Sequence, residues 1–292
     1  MEAVSMPRVE LRNVDMPAPV QVIAVTGGKG GTGKTSIAVN LATALAQMGR
    51  RTMLLDGDLG LANCDVLLGL TPRYTLEHVL RGERALEEVI LETDAGVRVV
   101  PAASGVARMA NMTLTEQHGI VQAFGSLPGP LHVLIVDTAA GIAEPVLQFC
   151  QAAQQVLLVL RDEPTSLTDT YALIKLLSRE RGMRQFRVVT NLTRQPEQGQ
   201  IAFRRLQRVT DRYLEVVLEH VGDVPEDMAL QKSVQAQKPV LEAFPGSPAA
   251  RAFRQLARTA NQWPLPAGPS GRIEFFMERM LARPAPRLMV LK

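Results

Sequence analysis

The sequence predicts an α/β fold: a doubly wound, mostly parallel sheet with helices on both faces. Three observations predict it. Short, unbroken apolar runs recur along the chain, segments of helical period separate them, and a glycine-rich loop follows the first run. Unbroken rather than alternating hydrophobicity indicates strands that are covered on both faces. Alternation of such strands with helices is typical of a single doubly wound domain.

The apolar runs predict seven strands, and three of the intervening segments have a clear helical period. The predicted strands are residues 22–25, 52–55, 97–100, 133–136, 156–160, 186–189 and 216–221. The predicted helices are residues 35–48, 168–181 and 198–213, of which the first two stop at a glycine. In the third helix we expect Ile201, Leu206 and Val209 to face the core.

Composition limits the class of protein and its location. The 292 residues are 46% hydrophobic and 21% charged, and the net charge of +3 permits contact with nucleic acid or anionic lipid without requiring it. Two cysteines are too few for a disulfide framework, and no apolar stretch reaches about 18 residues. The first 19 residues lack the apolar run of a secretion signal. We therefore expect a cytoplasmic protein without a membrane span.

A phosphate-binding loop follows the first strand. The motif G-x-x-x-x-G-K-[ST] occupies residues 28–35, between a strand and a helix as the motif requires. Glycines let main-chain N–H groups turn inward around phosphate oxygens at the positive end of a helix. Lys34 is expected to reach the β- and γ-phosphates of ATP, and the Thr35 hydroxyl to bind Mg²⁺. The residues predicted to bind nucleotide here are Gly28, Lys29, Gly30, Gly31, Thr32, Gly33, Lys34, Thr35 and Ser36.

The string K-G-G-T-G-K-T at residues 29–35 resembles the deviant Walker A loop of the MinD/ParA family of ATPases. The resemblance covers about residues 20–262. It implies that Lys29 reaches across a dimer interface to the partner's nucleotide, so that Lys29 acts in catalysis together with Lys34. It also implies a homodimer that forms with ATP.

Acidic residues end two of the predicted strands, where an α/β sheet places its ligands. Strand 52–55 leads into D-G-D, which resembles the first switch segment of the family. The resemblance implies that Asp58 orients the attacking water and that Asp56 supports the magnesium shell, although an aspartate there is also a common helix cap. Strand 133–136 ends at Asp137, the Walker B pattern. Asp137 is expected to hold Mg²⁺ through water, and D-T-A-x-G from that residue resembles the second switch.

Two further segments resemble the family. Asn191 follows a strand where the family uses asparagine on adenine, and V-P-E-D at 224–227 matches the family's base-flanking segment. This implies adenine contacts by Asn191, Pro225, Glu226 and Asp227, whereas the alternative is a proline turn that starts a helix at Ala229. An acidic loop at 162–169 follows another strand.

In that acidic loop Asp169 is a candidate resting partner for Lys29. Alternatively, Thr165, Ser166 or Thr168 simply caps the following helix. Both interpretations of the loop stay open.

Longer strings, such as residues 54–70, resemble the flagellar-number regulators, one branch of the family. This resemblance implies a slowly hydrolysing ATPase that restricts flagellar number and flagellar biosynthesis. Its implied partners are the flagellar transcription activator FleQ, which it antagonises, and the GTPase FlhF. Many such regulators begin with D-Q-A-x-x-L-R, which stimulates that GTPase. Here only V-E-L-R is found at 9–12, which argues against direct stimulation.

Four segments are expected along the chain. They are a mobile arm at 1–19, the P-loop ATPase domain at 20–262, a Pro/Gly linker at 263–271, and an amphipathic helix with a tail at 272–292. The apolar face of that helix would comprise Ile273, Phe276, Met277, Met280 and Leu281. It either binds an anionic membrane surface, giving peripheral association, or packs into a groove of the domain itself.

Three other functions compete with this interpretation. Arginines in the span 179–212 favour a ParA-type DNA-partition ATPase, and MinD-type placement of the division site is a related alternative, although we expect no direct nucleic-acid binding. A reductase like the nitrogenase iron protein needs a cysteine pair from each subunit, and the positions of Cys64 and Cys150 do not fit one. Finally, nucleotide binding could be purely structural.

Overall fold

The computed structural model describes residues 19–58, 63–102, 113–265 and 274–276. Its eight strands form one sheet in the order β3-β4-β2-β5-β1-β6-β7-β8. All neighbouring strands pair in parallel except β3, which is antiparallel to β4. The strands are β1 Gln21–Thr26, β2 Thr52–Gly57, β3 Leu91–Glu92, β4 Arg98–Val100, β5 Val133–Thr138, β6 Gln155–Leu160, β7 Gln185–Thr193 and β8 Val217–Pro225.

Within those residues the structure has eleven helices. They are α1 Lys34–Gln47, α2 Cys64–Leu67, α3 Leu76–Leu80, α4 Leu86–Val89, α5 Leu114–Gly125, α6 Glu144–Ala152, α7 Pro164–Arg181, α8 Gln198–Tyr213, α9 Met228–Gln235, α10 Val240–Ala243 and α11 Pro248–Ala260. None of the described helices combines the length and apolarity needed to cross a bilayer.

The sheet separates two apolar clusters, and this confirms the predicted doubly wound class. Helices α1, α9, α10 and α11 cover one face, and helices α5 to α8 cover the other. Every residue of β1, β2, β5 and β6 is buried, as expected for central parallel strands that are covered on both sides.

Helix α7 begins four residues before its predicted start. Its first residue is Pro164, whose ring fixes φ near the helical value and whose missing N–H costs nothing in a first turn. Glu163 is the N-cap and makes no side-chain capping bond. The expectation that Thr165, Ser166 or Thr168 caps the helix is therefore wrong, because all three lie inside it.

Helix α8 has its predicted bounds, but part of its predicted inner face is wrong. Leu206 is buried, whereas Ile201 and Val209 are 45% and 40% exposed. Ala202 and Phe203 face the sheet instead. The larger Phe203 ring fixes which side of the helix packs inward, and Ile201 and Val209 are rotated away from it.

The tail departs from its predicted helix at residues 274–276, which form a turn in which Phe276 has a left-handed φ of 58°. Phe275 and Phe276 are both buried, and the Phe275 N–H donates to the carbonyl oxygen of Ala152 at 3.2 Å. For these three residues the tail packs on the domain. The rest of the 272–292 segment, and arm residues 1–18, lie outside the described residues.

An aromatic cluster holds this turn in place. The ring of Phe275 stacks on Phe149 of α6, with centroids 6.4 Å apart, and meets Phe124 of α5 edge-on at 5.4 Å. Phe276 also meets Phe124 edge-on, at 6.3 Å. The two tail rings thus join α5 to α6 within the core of that face.

Candidate nucleotide-binding site

The strand order brings the predicted phosphate loop and the predicted acids to one edge of the sheet. Strand β5 lies between β1 and β2, so Asp137 pairs in register with Val25 on one side and with Asp56 on the other. Because parallel strands end at the same edge, the loop after β1 lies beside both carboxylates.

The loop enters α1 through two glycines in the left-handed region, Gly31 at φ +75° and Gly33 at φ +91°. Gly33 is the N-cap of α1, and no side chain caps the helix. The first main-chain N–H groups of the helix therefore have no capping side chain, which is the arrangement that accepts a phosphate. At Gly30 and Gly31 a β-carbon would meet nothing within 4 Å, so the loop is open on that side.

Lys34 lies folded across the loop. Its side chain is buried, and Nζ donates to the carbonyl oxygen of Lys29 at 3.3 Å. Burial lowers the pKa of Lys34, and the nearby charges of Asp137 and Asp58 oppose that shift. The ammonium group is thus held between the loop and two acids.

Asp56 is fixed by the main chain of the segment that follows it. Its carboxylate accepts N–H bonds from Asp58 at 3.1 Å, Asn63 at 2.9 Å and Cys64 at 3.0 Å. Burial raises the pKa of Asp56, against the effect of these three bonds. Asp58 itself is half-buried at the carboxyl end of β2.

Asp137 is the most strongly perturbed acid at this edge. Burial raises its pKa first, the charge of Asp56 raises it further, and Thr35 and Lys34 act in the opposite direction. Its Oδ1 atom is buried without a hydrogen-bond partner among the described residues. A buried, unpaired carboxylate oxygen beside a threonine hydroxyl fits Mg²⁺, which prefers oxygen ligands. The predicted metal residues Thr35, Asp56 and Asp137 are thus brought together.

The second predicted switch contacts the phosphate loop through the main chain. The Gly141 N–H donates to the carbonyl oxygen of Gly27 at 3.1 Å, and Gly141 has a φ of +96° that favours glycine. The Thr138 hydroxyl donates to the carbonyl oxygen of Val25 at 3.2 Å. A displacement of the segment after Asp137 would therefore displace the phosphate loop as well.

Lys29 does not contact Asp169, so that expectation is wrong. Its Nζ donates to Thr165 Oγ1 at 2.8 Å and lies 3.9 Å from Glu163. The early start of α7 turns the first turn of that helix toward Lys29. The Lys29 side chain is 41% exposed, and an exposed ion pair of this kind contributes at most about 1 kcal/mol.

The predicted base-binding residues lie near the loop, but some of their side chains are engaged elsewhere. Asn191 Nδ2 donates to the carbonyl oxygen of Thr32 at 2.8 Å, and its Oδ1 is buried without a partner among the described residues. Glu226 forms an ion pair with Arg194, and Pro225 ends β8. Among these residues, Asn191 has a hydrogen-bond acceptor, Oδ1, that makes no bond to another described residue.

Asp227 holds two helices with one carboxylate. Its Oδ1 accepts the Ala229 N–H of α9 at 2.8 Å, and its Oδ2 accepts the Ala249 N–H of α11 at 2.9 Å. Helix α9 accordingly starts at Met228, one residue before the start considered from the sequence. The Asp227 side chain is structural, so any contact of this segment with a base falls to its main chain.

Cys64 belongs to the same cluster, which the sequence analysis missed. Its Sγ lies 3.6 Å from Asp137 Oδ2, and ligand atoms of Asp56, Cys64 and Asp137 all lie within 4.8 Å of one another. Burial raises the pKa of the thiol, and both carboxylates raise it further. The bonds from Asn63 and Cys64 back to Asp56 fold the chain so that the thiol enters the site.

The fold and this edge define a P-loop nucleotide-binding protein that carries a second, exposed loop lysine. A family model described as "ParA: NUBPL iron-transfer P-loop NTPase" matches residues 19–261. The chain belongs to this ParA/MinD family of P-loop ATPases.

Two curated relatives are flagellar proteins. The chain is 55% identical over 267 residues to the antiactivator FleN of Pseudomonas aeruginosa, covering 91% of this chain and 95% of that protein. It is 31% identical over 245 residues to the flagellum site-determining protein YlxH of Helicobacter pylori, covering 83% and 82%. The predicted resemblance to the FleN/FlhG branch of the family is confirmed.

The solved relatives include proteins of cell division. MinD of Pyrococcus horikoshii, solved as a complex with Mg-ADP, has a TM-score of 0.70 and 28% identity, covering 84% of this chain and 97% of that one. The MinC:MinD complex of Aquifex aeolicus matches with a TM-score of 0.67 and 27% identity, covering 85% and 98%. Nucleotide and Mg²⁺ binding are thus properties found in the family.

The family description mentions iron transfer, but the two cysteines of this chain do not form a pair that could hold a cluster. The sequence has two cysteines, and they belong to the apolar clusters on opposite faces of the sheet. A cluster held between subunits needs several thiolates close together. The placement of Cys64 and Cys150 supports setting the reductase alternative aside.

Proposed function

We propose that this chain binds ATP with Mg²⁺, dimerises in that state, hydrolyses ATP slowly and restricts flagellar number by antagonising a flagellar transcription activator. The observation that carries the proposal is the 55% identity to an antiactivator along 95% of that protein's length. The MinD relatives are matched at 28–34% identity, and the one at 34% covers only 53% of this chain, so the flagellar role is favoured over placement of the division site.

The site suggests a role for each residue. Lys34 and the uncapped start of α1 would bind the phosphates, while Thr35, Asp56 and Asp137 would hold Mg²⁺, which neutralises charge on the phosphates. Asp58 would orient the attacking water, since it lies close enough to Lys34 to act on its charge.

Lys29 would serve the nucleotide of a second subunit. Its contacts with Thr165 and Glu163 are exposed, so releasing it costs little. Asn191 would contact adenine through its free Oδ1 atom, and residues 225–227 through their main chain.

Dimerisation is tested by light scattering of the purified chain on a gel-filtration column with Mg-ATP, with Mg-ADP and without nucleotide. We expect a dimer with Mg-ATP only, a monomer for Lys29→Ala, and a longer-lived dimer with slower turnover for Asp58→Ala. Lys175→Ala removes another exposed lysine, on α7, and should behave as wild type. A dimer of Lys29→Ala with unchanged lifetime would contradict the role of that lysine.

Flagellar function is tested in a Pseudomonas aeruginosa strain that lacks FleN. Expression of this chain should restore the wild-type number of flagella per cell, counted by electron microscopy, and Lys34→Gln should not. We propose FleQ as the transcription activator and FlhF as a GTPase partner. Co-purification with each, with and without ATP, would show which of them the chain binds.

We propose peripheral association with the inner face of the cell membrane for a state in which Phe275 and Phe276 leave the core. Their burial opposes this in the described conformation. Vesicles of anionic lipid should then bind the chain only with Mg-ATP, and removal of residues 272–292 should abolish binding. Binding that survives this truncation would assign the lipid contact elsewhere.

Exposed arginines on α8, among them Arg204, Arg208 and Arg212, favour DNA binding as a second candidate. Several other arginines of that region are already paired, however: Arg205 with Asp162, and Arg184 with Glu215. A DNA shift assay with ATP at two salt concentrations would test it. If the chain shifts DNA and the shift weakens steeply with salt, DNA partition is favoured over the flagellar role.

A further inference from the structure

We propose that Asp56, Cys64 and Asp137 form a binding site for a thiophilic divalent cation, Zn²⁺ in particular, in the nucleotide-free protein. The three side chains are each at most 1% exposed, and one ligand atom from each lies within 4.8 Å of the other two. All three side chains are thus withdrawn from bulk solvent.

The separation of sulfur and oxygen fits one ion. Zn–S and Zn–O bonds of about 2.3 and 2.1 Å at a tetrahedral angle place the two ligand atoms about 3.6 Å apart. Cys64 Sγ and Asp137 Oδ2 are 3.6 Å apart. The other separations in the trio are at most 4.8 Å. Asp56 is the rigid member of the trio, because three main-chain N–H groups hold its carboxylate.

A second observation points to a cation at the same place. Asp137 Oδ1 is buried without a hydrogen-bond partner in the described part of the chain, while the other oxygen of the same carboxylate faces the thiol. Buried polar atoms are normally satisfied by protein, water or an ion. An ion among these three side chains that binds both oxygens of the Asp137 carboxylate would satisfy Oδ1 as well.

The ligand set distinguishes this ion from Mg²⁺. Mg²⁺ is a hard cation that prefers oxygen, whereas thiolate ligands select softer ions such as Zn²⁺. On binding, Cys64 loses its thiol proton to solvent and forms an S–Zn bond. Three protein ligands leave a fourth position open, as in zinc sites that keep a water. Since Asp56 and Asp137 are also the proposed magnesium residues, bound Zn²⁺ would exclude Mg²⁺. That consequence rests on the proposed function, but the binding itself does not.

Binding is tested with the full, nucleotide-free chain. Cd²⁺ serves as the spectroscopic probe, because a cadmium–thiolate bond absorbs in the ultraviolet, and Zn²⁺ affinity is measured by competition with a chromophoric chelator. We expect one equivalent of either ion per chain. Cys64→Ala should abolish the cadmium absorption and weaken Zn²⁺ binding at least tenfold. Cys150→Ala removes the other buried cysteine, on the opposite face of the sheet, and should change neither.

Thermal unfolding of each variant identifies one that fails to fold, and Cys64→Ser then replaces Cys64→Ala. Unchanged Zn²⁺ affinity in a folded Cys64 variant, or no saturable binding by the wild type, would overturn the proposal. Binding of a fluorescent ADP analogue with Mg²⁺ is measured separately on the wild type. If that binding fails while the cadmium absorption appears, the proposed function is wrong and the zinc site stands.

Discussion

Gly28 of the phosphate loop lies directly against the main chain of Asp169 in helix α7. A β-carbon on Gly28 would stand 2.6 Å from the Thr170 nitrogen and closer still to the Asp169 carbonyl group. The loop and α7 are therefore in contact at a point where only glycine fits. Since the atoms in the way are main chain, a side chain there cannot be accommodated by a change of rotamer.

Gly28→Ala should lower stability and displace the loop from α7. We expect the free energy of unfolding to fall by about 1–3 kcal/mol, as for other overpacked sites, and nucleotide binding to weaken. The matched control is Gly30→Ala, where a β-carbon meets nothing within 4 Å. Its stability should change by less than about 0.5 kcal/mol in urea unfolding. Equal losses for the two variants would contradict the contact.

Phe275→Ala should destabilise the domain although residue 275 lies far beyond the last described helix. The ring is fully buried between Phe124 and Phe149, so its removal leaves a cavity that costs about 3 kcal/mol. Phe244→Ala, in which the ring removed is 37% exposed, is the control and should cost about 1 kcal/mol or less. If urea unfolding gives similar values for both, the tail is not part of the core in solution.

Asn191→Ala should weaken the link between β7 and the phosphate loop. The change leaves the carbonyl oxygen of Thr32 without its 2.8 Å bond and costs about 1–3 kcal/mol of stability. We also expect weaker ATP binding by calorimetry, because the loop loses a support. Asn261→Ala, at an exposed position after α11, should leave both quantities within error. If Asn191→Ala binds ATP with the affinity of the wild type, Asn191 is not part of the nucleotide site.

Asp137 should make the nucleotide-free protein less stable as pH rises. Its pKa is raised to about 8 in the folded chain, against about 3.9 in the unfolded chain. The folded state thus holds the extra proton, and the stability this gives is lost between about pH 4 and pH 8. Without metal, the Tm of the wild type should fall more between pH 5 and pH 8 than that of Asp137→Asn. If Tm falls by the same amount in both proteins, the raised pKa of Asp137 is contradicted.

Local pattern was enough to predict the sheet and the loop. The apolar runs located the central strands because those strands are buried along their whole length, and the glycine-lysine motif placed Lys34 at the start of α1. Spacing could also place Asp56 and Asp137 at one edge, since both follow parallel strands. Each of these features can be read from a pattern within one short segment of the chain.

The remaining features depend on contacts between distant segments. Cys64 lies beside Asp56 and Asp137 because Asp56 accepts N–H bonds from Asn63 and Cys64, which folds the following chain back toward it. Lys29 meets Thr165 because α7 starts at Pro164, and no periodicity marks that start. Phe276 has an apolar side chain that would suit a lipid-facing helix equally well, and its contact with the Phe124 ring of α5 shows that it is buried instead.

The carboxylate of Asp227 has one consequence for how this molecule can move. Because each of its oxygens accepts an N–H bond from a different helix, the first turns of α9 and α11 are anchored to one side chain. A displacement of one helix therefore displaces the other, and the 13 residues of α11 extend that displacement toward Trp263, which contacts Arg187 near the start of β7, at the edge of the sheet opposite the glycine-rich loop. An asparagine at this position could accept only one of the two N–H bonds, from Ala229 or from Ala249, so α9 and α11 would lose their common anchor.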